Sequence, residues 1–259
     1  MRPGPPGAAG GGRVSGPAAG RLAGLTAVVT GGAGGIGQAT AARLAADGAR
    51  VAVLDRAAGR ARAGLVLRAD VTDAGSLAAA ATQVAAELGR CDLLIITAGV
   101  AVVGAAADCT DAAWDQVFAV NVRGAWLTFR AFLPVLNRPA SVVTVASAAG
   151  LRPMPRLAAY SAAKAALIGL TRSIAVDYAA EGIRANCVCP GQIDTALAAR
   201  VQRDRPPDER AAVAGFADYP VKRAGRPAEV AGAIAYLCGP EAGYVTGSVL
   251  AVDGGRTLH

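Results

Sequence analysis

Three side chains in the middle of the chain have the types and the spacing that proton transfer needs. Ser147 lies thirteen residues before Tyr160, and Lys164 follows Tyr160 by four residues. Because positions i and i+4 share one face of a helix, Tyr160 and Lys164 are predicted to project side by side. An ammonium group beside a phenol favours the phenolate and lowers the phenol's pKa from its usual value of about 10. Tyr160 would then be a usable general acid or base near neutral pH.

Ser147 is predicted to lie at the end of a buried strand, because it closes the apolar run from Ser141 to Ser147. A hydroxyl at the carboxyl end of a strand lies where open α/β sheets bind their ligands. The spacing Tyr-x-x-x-Lys is common, however, and a helix can carry one tyrosine and one lysine by chance. The elements around these residues therefore have to support the chemical interpretation.

A glycine-rich turn stands between a predicted strand and a predicted helix near the start of the fold. The β-rich run from Leu25 to Thr30 passes into residues 31–37, Gly-Gly-Ala-Gly-Gly-Ile-Gly, and residues 38–47 have helical character. Without Cβ atoms the backbone can turn sharply and approach a pyrophosphate, while the helix N-terminus offers free N–H groups and the positive end of its dipole. This order of elements predicts a dinucleotide-binding site.

An acid at the end of the second predicted strand, Arg50 to Asp55, bears on the choice of dinucleotide. Asp55 stands eighteen residues after Gly37. A carboxylate there can accept hydrogen bonds from both hydroxyls of an adenosine ribose and would repel a 2′-phosphate, which favours NAD over NADP. Arg56 would offset part of that repulsion, and Asp55 could instead be only a turn residue at a strand end.

Apolar strands alternate with helices along the remaining chain. Further strands are predicted within residues 65–71, 92–99, 141–147, 184–189 and 249–253, and helices within residues 74–88, 112–136, around Tyr160 to about 180, and 227–237. This alternation is typical of the α/β class, with a parallel sheet covered on both faces. No second core is evident, so the expected organisation is a flexible Gly/Pro/Ala-rich tail over residues 1–20 and one domain over residues 21–259.

Composition argues against several other classes of protein. Apolar residues make up 53% of the 259-residue chain, and no run approaches the roughly 18 apolar residues of a membrane span. The formal charge of +7 does not indicate a nucleic-acid partner, because Lys164 and Lys222 are the only lysines and the arginines are scattered.

The five cysteines lack the spacing of metal ligands, so no metal is predicted and they are expected to be small buried residues in a reducing compartment. The N-terminal residues also lack the apolar centre of a signal peptide. A cytoplasmic location is therefore expected.

Over residues 21–256 the chain resembles the classical short-chain dehydrogenase/reductase family. Thr30 to Gly37 is similar to the family's T-G-x-x-x-G-x-G motif, and further family positions follow in order: Asp70-Val71, Ala98-Gly99, Asn121, Ser147, Tyr160, Lys164 and Pro190-Gly191. The resemblance implies a single doubly wound parallel-sheet Rossmann domain, in homotetramers or homodimers. It also implies an NAD(H)-dependent oxidoreductase that interconverts a small-molecule secondary alcohol and a ketone.

The resemblance implies a role for each matching residue. Tyr160 would be the catalytic acid/base, and Lys164 would lower its pKa and hold the nicotinamide ribose. Ser147 would polarise the substrate oxygen, and Asn121 would keep a water in the proton relay. The cofactor would be held by the glycine-rich turn, the strand ends and the segment after the sixth strand: Gly31, Gly35, Ile36, Gly37, Asp55, Asp70, Val71, Ala98, Gly99, Tyr160, Lys164, Pro190, Gly191, Ile193 and Thr195.

Two positions depart from the commonest family pattern. Thr97 stands where the family usually has asparagine, and it is expected to preserve a strand contact with altered geometry. Ala33 stands where NADP-preferring relatives carry a basic residue, which again favours NAD.

Residues 192–221 correspond to the family's variable substrate lid. The charged run 200–210 within it is interpreted as a solvated helix face rather than a ligand clamp. Arg152 would either bind a carboxylate or phosphate of the substrate or be a surface loop residue.

Two alternatives to this function remain open. An NADP(H)-dependent ketoreductase of 3-oxoacyl thioesters or polyketides would carry overlapping motifs. A non-catalytic NAD-binding relative would bind the dinucleotide without turnover, but the complete set of Asn121, Ser147, Tyr160 and Lys164 argues against it.

Overall fold

The computed structural model describes residues 20–57, 64–214 and 216–258. The predicted tail therefore lies outside the described residues except for Gly20, and so does His259 at the end of the predicted domain.

A seven-stranded parallel sheet forms the centre of the fold. In chain order its strands are β1 (Thr26–Thr30), β2 (Arg50–Asp55), β3 (Leu65–Arg68), β4 (Cys91–Ile96), β5 (Leu136–Val145), β6 (Ile183–Pro190) and β7 (Val249–Val252). They lie in the order β3-β2-β1-β4-β5-β6-β7, and every pairing is parallel. The direction of winding reverses between β1 and β4, which is where doubly wound sheets open a crevice for ligands.

Helices cover both faces of this sheet. They are α1 (Gly35–Ala46), α2 (Ala74–Leu88), α3 (Asp111–Phe118), α4 (Gly124–Phe132), α5 (Ala158–Tyr178), α6 (Ala196–Asp204), α7 (Pro207–Ala214) and α8 (Pro227–Cys238). Residues of α1 and α8 pack in one apolar cluster, and residues of α2, α4 and α5 pack in the other. Alternate residues of every strand except β3 enter opposite clusters, which explains why those strands read as continuous apolar runs.

The predicted helix over residues 112–136 differs from the observed chain. The helix α3 passes through a π-helical turn, Ala119–Arg123, into α4, and a 3₁₀ turn, Leu133–Val135, then leads into β5. Pro134 in that turn has no backbone N–H and cannot continue an α-helix. The strand β5 therefore begins five residues before the predicted start at Ser141.

The cysteines are free thiols, and four of the five are buried. The sulfur atoms of Cys187 and Cys189 lie 4.0 Å apart on β6. Across the described ranges, no group of three or more histidine, cysteine or acidic side chains is arranged to hold a metal ion. In the same part of the chain, no helix is both long enough and apolar enough to cross a membrane.

Candidate active site

Two adjoining cavities lie along the carboxyl edge of the sheet. The first, called here the glycine-rich groove, is lined by residues of the 31–37 turn, the ends of β2 and β4 and the segment after β3. The second, called the inner pocket, is lined by residues after β5 and β6 and by α5 and α6. Ile36, Thr97, Gly99, Thr195 and Leu197 line both, so the cavities form one continuous site.

Tyr160 and Lys164 project into the inner pocket from the first two turns of α5. The Lys164 Nζ lies 5.7 Å from the centroid of the Tyr160 ring and donates a hydrogen bond of 2.8 Å to the Val145 carbonyl at the end of β5. Lys164 is buried, whereas Tyr160 is partly open to the cavity. The predicted neighbours are therefore side by side, and a strand end fixes the position of the ammonium group.

The titration of this pair differs from the sequence-based expectation. Burial raises the pKa of Tyr160, and the hydrogen bond with Ser147 offsets part of that rise. Burial also lowers the pKa of Lys164 to about 8. Loss of solvation works against both charged forms, because neither the phenolate nor the ammonium is well hydrated here. The expected lowering of the phenol's pKa is therefore not a property of the protein alone.

Ser147 lies two residues beyond the end of β5, where it begins a 3₁₀ turn, Ala148–Gly150. Its hydroxyl oxygen accepts a hydrogen bond of 3.1 Å from the backbone N–H of Ala149. This bond uses one lone pair of the hydroxyl oxygen and does not involve its O–H, which can donate to a ligand. Ser147 and Tyr160 line the same part of the inner pocket, so both hydroxyls can reach one ligand oxygen.

Asn121 is the predicted catalytic residue that does not line either cavity. It is fully buried in the π-helical turn, where its amide donates to the Val100 carbonyl at 2.8 Å and accepts from the Val100 N–H at 3.0 Å. Its side chain therefore holds the segment that follows β4. A Cβ atom on the neighbouring Gly99 would lie 2.8 Å from the Asn121 Oδ1 and 3.3 Å from the Lys164 Nζ.

The turn before α1 has the geometry of an anion cradle. Gly31 has a φ of +66°, and a Cβ there would lie 2.7 Å from the backbone of Ala98. The helix α1 begins after Gly34 with no side-chain cap and no acidic residue in its first turn, so its N–H groups and the positive end of its dipole face the groove. A pyrophosphate fits this site, and a side chain at Gly31 would collide with the backbone that follows β4 and displace the turn.

Two predicted acids lie along the groove. The Asp55 carboxylate accepts hydrogen bonds from the N–H groups of Ala33 at 3.0 Å and Ala57 at 2.9 Å, which hold it beside the glycine-rich turn. Hydrogen bonds from Thr72 hold the pKa of Asp70 below its ordinary value. Arg56 is 69% exposed and lies 3.8 Å from Asp70.

The remaining predicted cofactor residues also line the site. The Thr97 hydroxyl donates to the Thr30 carbonyl, so the expected strand contact is present. Thr195 caps α6 by accepting a hydrogen bond of 3.2 Å from the Ala198 N–H. Val71 and Ala98 line the groove, Gly99 lines both cavities, and Pro190, Gly191 and Ile193 line the inner pocket.

Arg205 shows that the charged run is not simply a solvated helix face. Arg203 and Asp204 are exposed, but Arg205 is only 2% exposed and lines the inner pocket. The sequence does contain a signal for this, since Leu197, Val201 and Arg205 recur every four residues and all three line the pocket. The interpretation of residues 200–210 was therefore wrong at Arg205.

Arg152 is a half-buried residue of the loop before α5, so the loop alternative describes it better than the ligand-binding one. Its Nη1 donates to the Arg256 carbonyl at 3.0 Å, while the Arg256 Nη1 donates back to the Arg152 carbonyl at 2.9 Å. Arg152 is absent from the described lining of the inner pocket, although Met154 and Arg256 belong to it. This reciprocal pair joins the end of the chain to the loop before α5, and no local sequence pattern predicts it.

A family model described as enoyl-(acyl carrier protein) reductase matches residues 31–257. That range includes the glycine-rich groove, the inner pocket and the Tyr160–Lys164 pair. The chain belongs to the classical short-chain dehydrogenase/reductase family. As a short-chain dehydrogenase/reductase it is an oxidoreductase that uses a nicotinamide cofactor, and the predicted family and doubly wound Rossmann fold are confirmed.

Individual relatives of this short-chain dehydrogenase/reductase agree with that assignment. It is 44% identical to cis-4-hydroxycyclohexanecarboxylate dehydrogenase of Sinomonas cyclohexanicum, over 89% of this chain and 96% of the relative. It is 38% identical to 2-(S)-hydroxypropyl-CoM dehydrogenase 3 of Xanthobacter autotrophicus, over 92% and 98%. The structure of the aldohexose dehydrogenase of Thermoplasma acidophilum aligns with a TM-score of 0.84 at 32% identity, over 93% and 96%.

Proposed function

We propose that this protein interconverts a secondary alcohol and a ketone with NAD(H), and that Tyr160 is the acid/base. The observation that carries the proposal is the common position of Ser147 and Tyr160 in a pocket that is continuous with the glycine-rich groove. Two of the relatives are named as dehydrogenases of hydroxyl compounds, cis-4-hydroxycyclohexanecarboxylate and 2-(S)-hydroxypropyl-CoM.

In the proposed mechanism, two side chains act on the substrate oxygen and a third acts through Tyr160. The Ser147 hydroxyl, with one lone pair already occupied, donates a hydrogen bond to that oxygen. The Tyr160 hydroxyl gives it a proton during reduction or takes the alcohol proton during oxidation. When bound, the nicotinamide supplies or accepts the hydride. A protonated Lys164 favours the phenolate form of Tyr160 by Coulomb attraction.

The groove residues support the choice of cofactor. The uncapped start of α1 would hold the pyrophosphate beside Gly31, Gly35, Ile36 and Gly37. Asp55, fixed by two backbone N–H groups, would accept from the adenosine ribose hydroxyls and repel a 2′-phosphate. The adenine would lie by Asp70 and Val71, and the nicotinamide half by Ala98, Gly99, Lys164, Pro190, Gly191, Ile193 and Thr195.

One observation favours an NADP(H)-dependent ketoreductase as a second candidate. Arg56 lies next to Asp55, is largely exposed and lines the groove, so its guanidinium can turn towards a 2′-phosphate. The position of Asp55 outweighs it, because the carboxylate is held by hydrogen bonds, whereas the ion pair of Arg56 with Asp70 is exposed.

The organisation of the protein is part of the proposal. Residues 21–259 would form one domain, with residues 192–221 as a substrate lid. Exposed apolar side chains on α3, α4 and α5, namely Trp114, Trp126 and Val176, support a homotetramer or homodimer. The free thiols support a reducing, cytoplasmic location.

Tyr160→Phe tests the proposed reaction, because it removes only the phenol oxygen. We expect the variant to bind NADH like the wild type and to lose about a thousandfold in kcat with NAD and a panel of secondary alcohols. Tyr178→Phe, on the same helix but outside the pocket, should keep its activity. Turnover by Tyr160→Phe within about tenfold of wild type would exclude Tyr160 as the acid/base.

A further inference from the structure

The charged side chains that line the inner pocket are cationic. The described lining of this pocket contains three cationic residues, Lys164, Arg205 and Arg256, and no acidic one. Lys164 belongs to the site of proton transfer. Arg256 donates to the carbonyls of Arg152 at 2.9 Å and Pro153 at 3.4 Å, so its guanidinium has a structural task. Within the part of the chain that the structure describes, the guanidinium of Arg205 has no comparable hydrogen bonds to the backbone.

Two buried nitrogen atoms of Arg205 have no hydrogen-bond partner. They are Nε and Nη2. These atoms share one edge of the guanidinium group and form the fork that binds both oxygens of a carboxylate in parallel. Because leaving buried donors unpaired costs free energy, an anion that fills this fork would remove that cost.

The nearby acid does not occupy the fork. The Glu209 Oε2 lies 3.6 Å from Nη1 of Arg205, which is a different nitrogen and beyond good hydrogen-bond distance. Glu209 also lies 3.7 Å from Arg156, so one carboxylate faces two guanidinium groups. Asp108, the other acid near Arg156, is 61% exposed. Glu209 therefore faces the guanidinium of Arg205 from the side of Nη1 and leaves the Nε and Nη2 fork open.

Apolar side chains line the pocket that Arg205 shares with the hydroxyls of Ser147 and Tyr160. Arg205 ends the same face of α6 that brings Leu197 and Val201 into the pocket, and Met154 and Leu157 line it as well. A molecule whose oxygen lies at Ser147 and Tyr160 would therefore extend an apolar body towards the Arg205 fork.

We propose that Arg205 is the residue that determines substrate specificity, and that the substrate is a hydroxy acid or oxo acid with a carboxylate on an apolar body. The carboxylate binds Nε and Nη2 of Arg205, and the hydroxyl or carbonyl lies at Ser147 and Tyr160. The second half of this statement rests on the proposed function, whereas the carboxylate site does not.

The test compares two flat probes of nearly equal size that differ in charge. Titration calorimetry of the NADH-saturated protein with benzoate and benzamide measures the preference for the anion. We expect the wild type to bind benzoate at least about tenfold more tightly, because hydrogen bonds to charged groups stabilise more than neutral ones. Arg205→Met should abolish this preference, and Arg205→Lys should keep part of it because lysine retains the charge without the fork.

Arg203→Met is the matched control, since it removes the same charge from an exposed position of α6 that does not line the pocket. It should bind both probes like the wild type. Equal affinity of the wild type for the two probes, or an undiminished preference for benzoate in Arg205→Met, would overturn the proposal. The first of these readouts needs no variant, so it holds even if Arg205→Met does not fold.

The Tyr160→Phe variant separates this inference from the proposed function. If Tyr160→Phe retains turnover while benzoate binding depends on Arg205, the catalytic assignment fails and the carboxylate site stands. If turnover is lost in Tyr160→Phe and no preference for benzoate exists, the catalytic assignment stands and the carboxylate site fails.

Discussion

At the scale of single residues, the candidate site contains groups whose surroundings oppose the charges that their proposed chemistry needs. Burial raises the pKa of the Tyr160 phenol and lowers that of the Lys164 ammonium to about 8. A phenolate–ammonium pair would stabilise itself by mutual attraction, but each member alone is poorly solvated. The cofactor-free protein therefore holds Tyr160 and Lys164 side by side without stabilising their charged forms.

Lys164 should make the stability of the cofactor-free protein depend on pH in a defined window. Its pKa is about 8 in the folded protein and near 10.5 in the unfolded chain, so the unfolded state binds more protons between these values. The contribution of Lys164 to the free energy of unfolding should therefore rise as pH increases from 8 to 10.5, by at most about 1.4 kcal/mol per pH unit. Below pH 8 the buried charge is destabilising.

The measurement is urea unfolding of the wild type and of Lys164→Met at pH 7.5 and pH 9.5. Titration of groups that do not interact with Lys164 cancels in the difference between the two proteins. We expect the wild type to gain stability relative to the variant at the higher pH, and a pH-independent difference would show that Lys164 keeps an ordinary pKa.

Asp55→Ala should narrow or reverse the preference for NAD over NADP. The variant loses the carboxylate that Ala33 and Ala57 hold beside the groove, and with it the repulsion of a 2′-phosphate. The ratio of kcat/KM for the two cofactors measures the effect, with Asp73→Ala, an acid outside both described cavities, as the control. An unchanged ratio in Asp55→Ala would remove Asp55 from the proposed ribose site.

At the scale of elements, the site depends on how closely β4, the π-helical turn and α5 approach one another. Gly99 lies where they meet, and Asn121 holds the next residue, Val100, by two hydrogen bonds. π-Helical turns are frequent at functional sites because they change the direction of backbone groups within a helix. In this fold the turn brings Asn121 to the exit of β4.

Gly99→Ala should reduce kcat while the protein remains folded. The new Cβ would lie 2.8 Å from the Asn121 Oδ1 and 3.3 Å from the Lys164 Nζ, so the amide or the ammonium has to move. Gly169→Ala on α5 is the matched control, because nothing lies within 4 Å of its Cβ. It should stabilise the protein by about 0.5–1 kcal/mol through helix propensity and leave kcat unchanged. Wild-type kcat in Gly99→Ala would show that this contact tolerates the shift.

Local patterns in the sequence predict the bounds of helices and strands more accurately than the tertiary surroundings of their side chains. The bounds of β2 and α2 agree with prediction, and so does the spacing of Tyr160 and Lys164, because each depends on neighbours within one element. The burial of Arg205 is indicated only by its four-residue spacing from Leu197 and Val201, which does not by itself distinguish a pocket from a solvated face. The pKa of Tyr160 is raised by burial in the folded protein, and this has no local sequence signature.

At the scale of the whole molecule, the end of the chain closes one side of the inner pocket. Arg256 is buried and bridges to residues 152 and 153, more than a hundred positions earlier in the chain. The same arginine lines the pocket. Both substrate binding and global stability should therefore depend on the contact between Arg256 and residues 152 and 153.

Arg256→Met should lower the free energy of unfolding by about 2 kcal/mol and raise KM for the substrate, because two partly buried carbonyls lose their donors and the pocket wall loosens. Arg203→Met is the control, since Arg203 is exposed and lies outside the pocket. Urea unfolding and steady-state kinetics measure the two effects. Equal free energies of unfolding for the two variants would show that the hydrogen bonds of Arg256 do not stabilise the fold.

The two neighbouring thiols on β6 can be used to measure how often the site opens. Cys187 and Cys189 are buried behind Lys164, while Cys109 is partly exposed. A polar alkylating reagent should therefore label Cys109 first and reach the buried pair only when β6 and α5 separate. Cys91 and Cys238 are buried as well, so labelling has to be followed at Cys187 and Cys189 separately, where its slow phase reports these openings much as amide exchange does. A cofactor that binds the closed site should slow labelling at these two residues, so a thiol reagent can measure the opening of the active site without an engineered label.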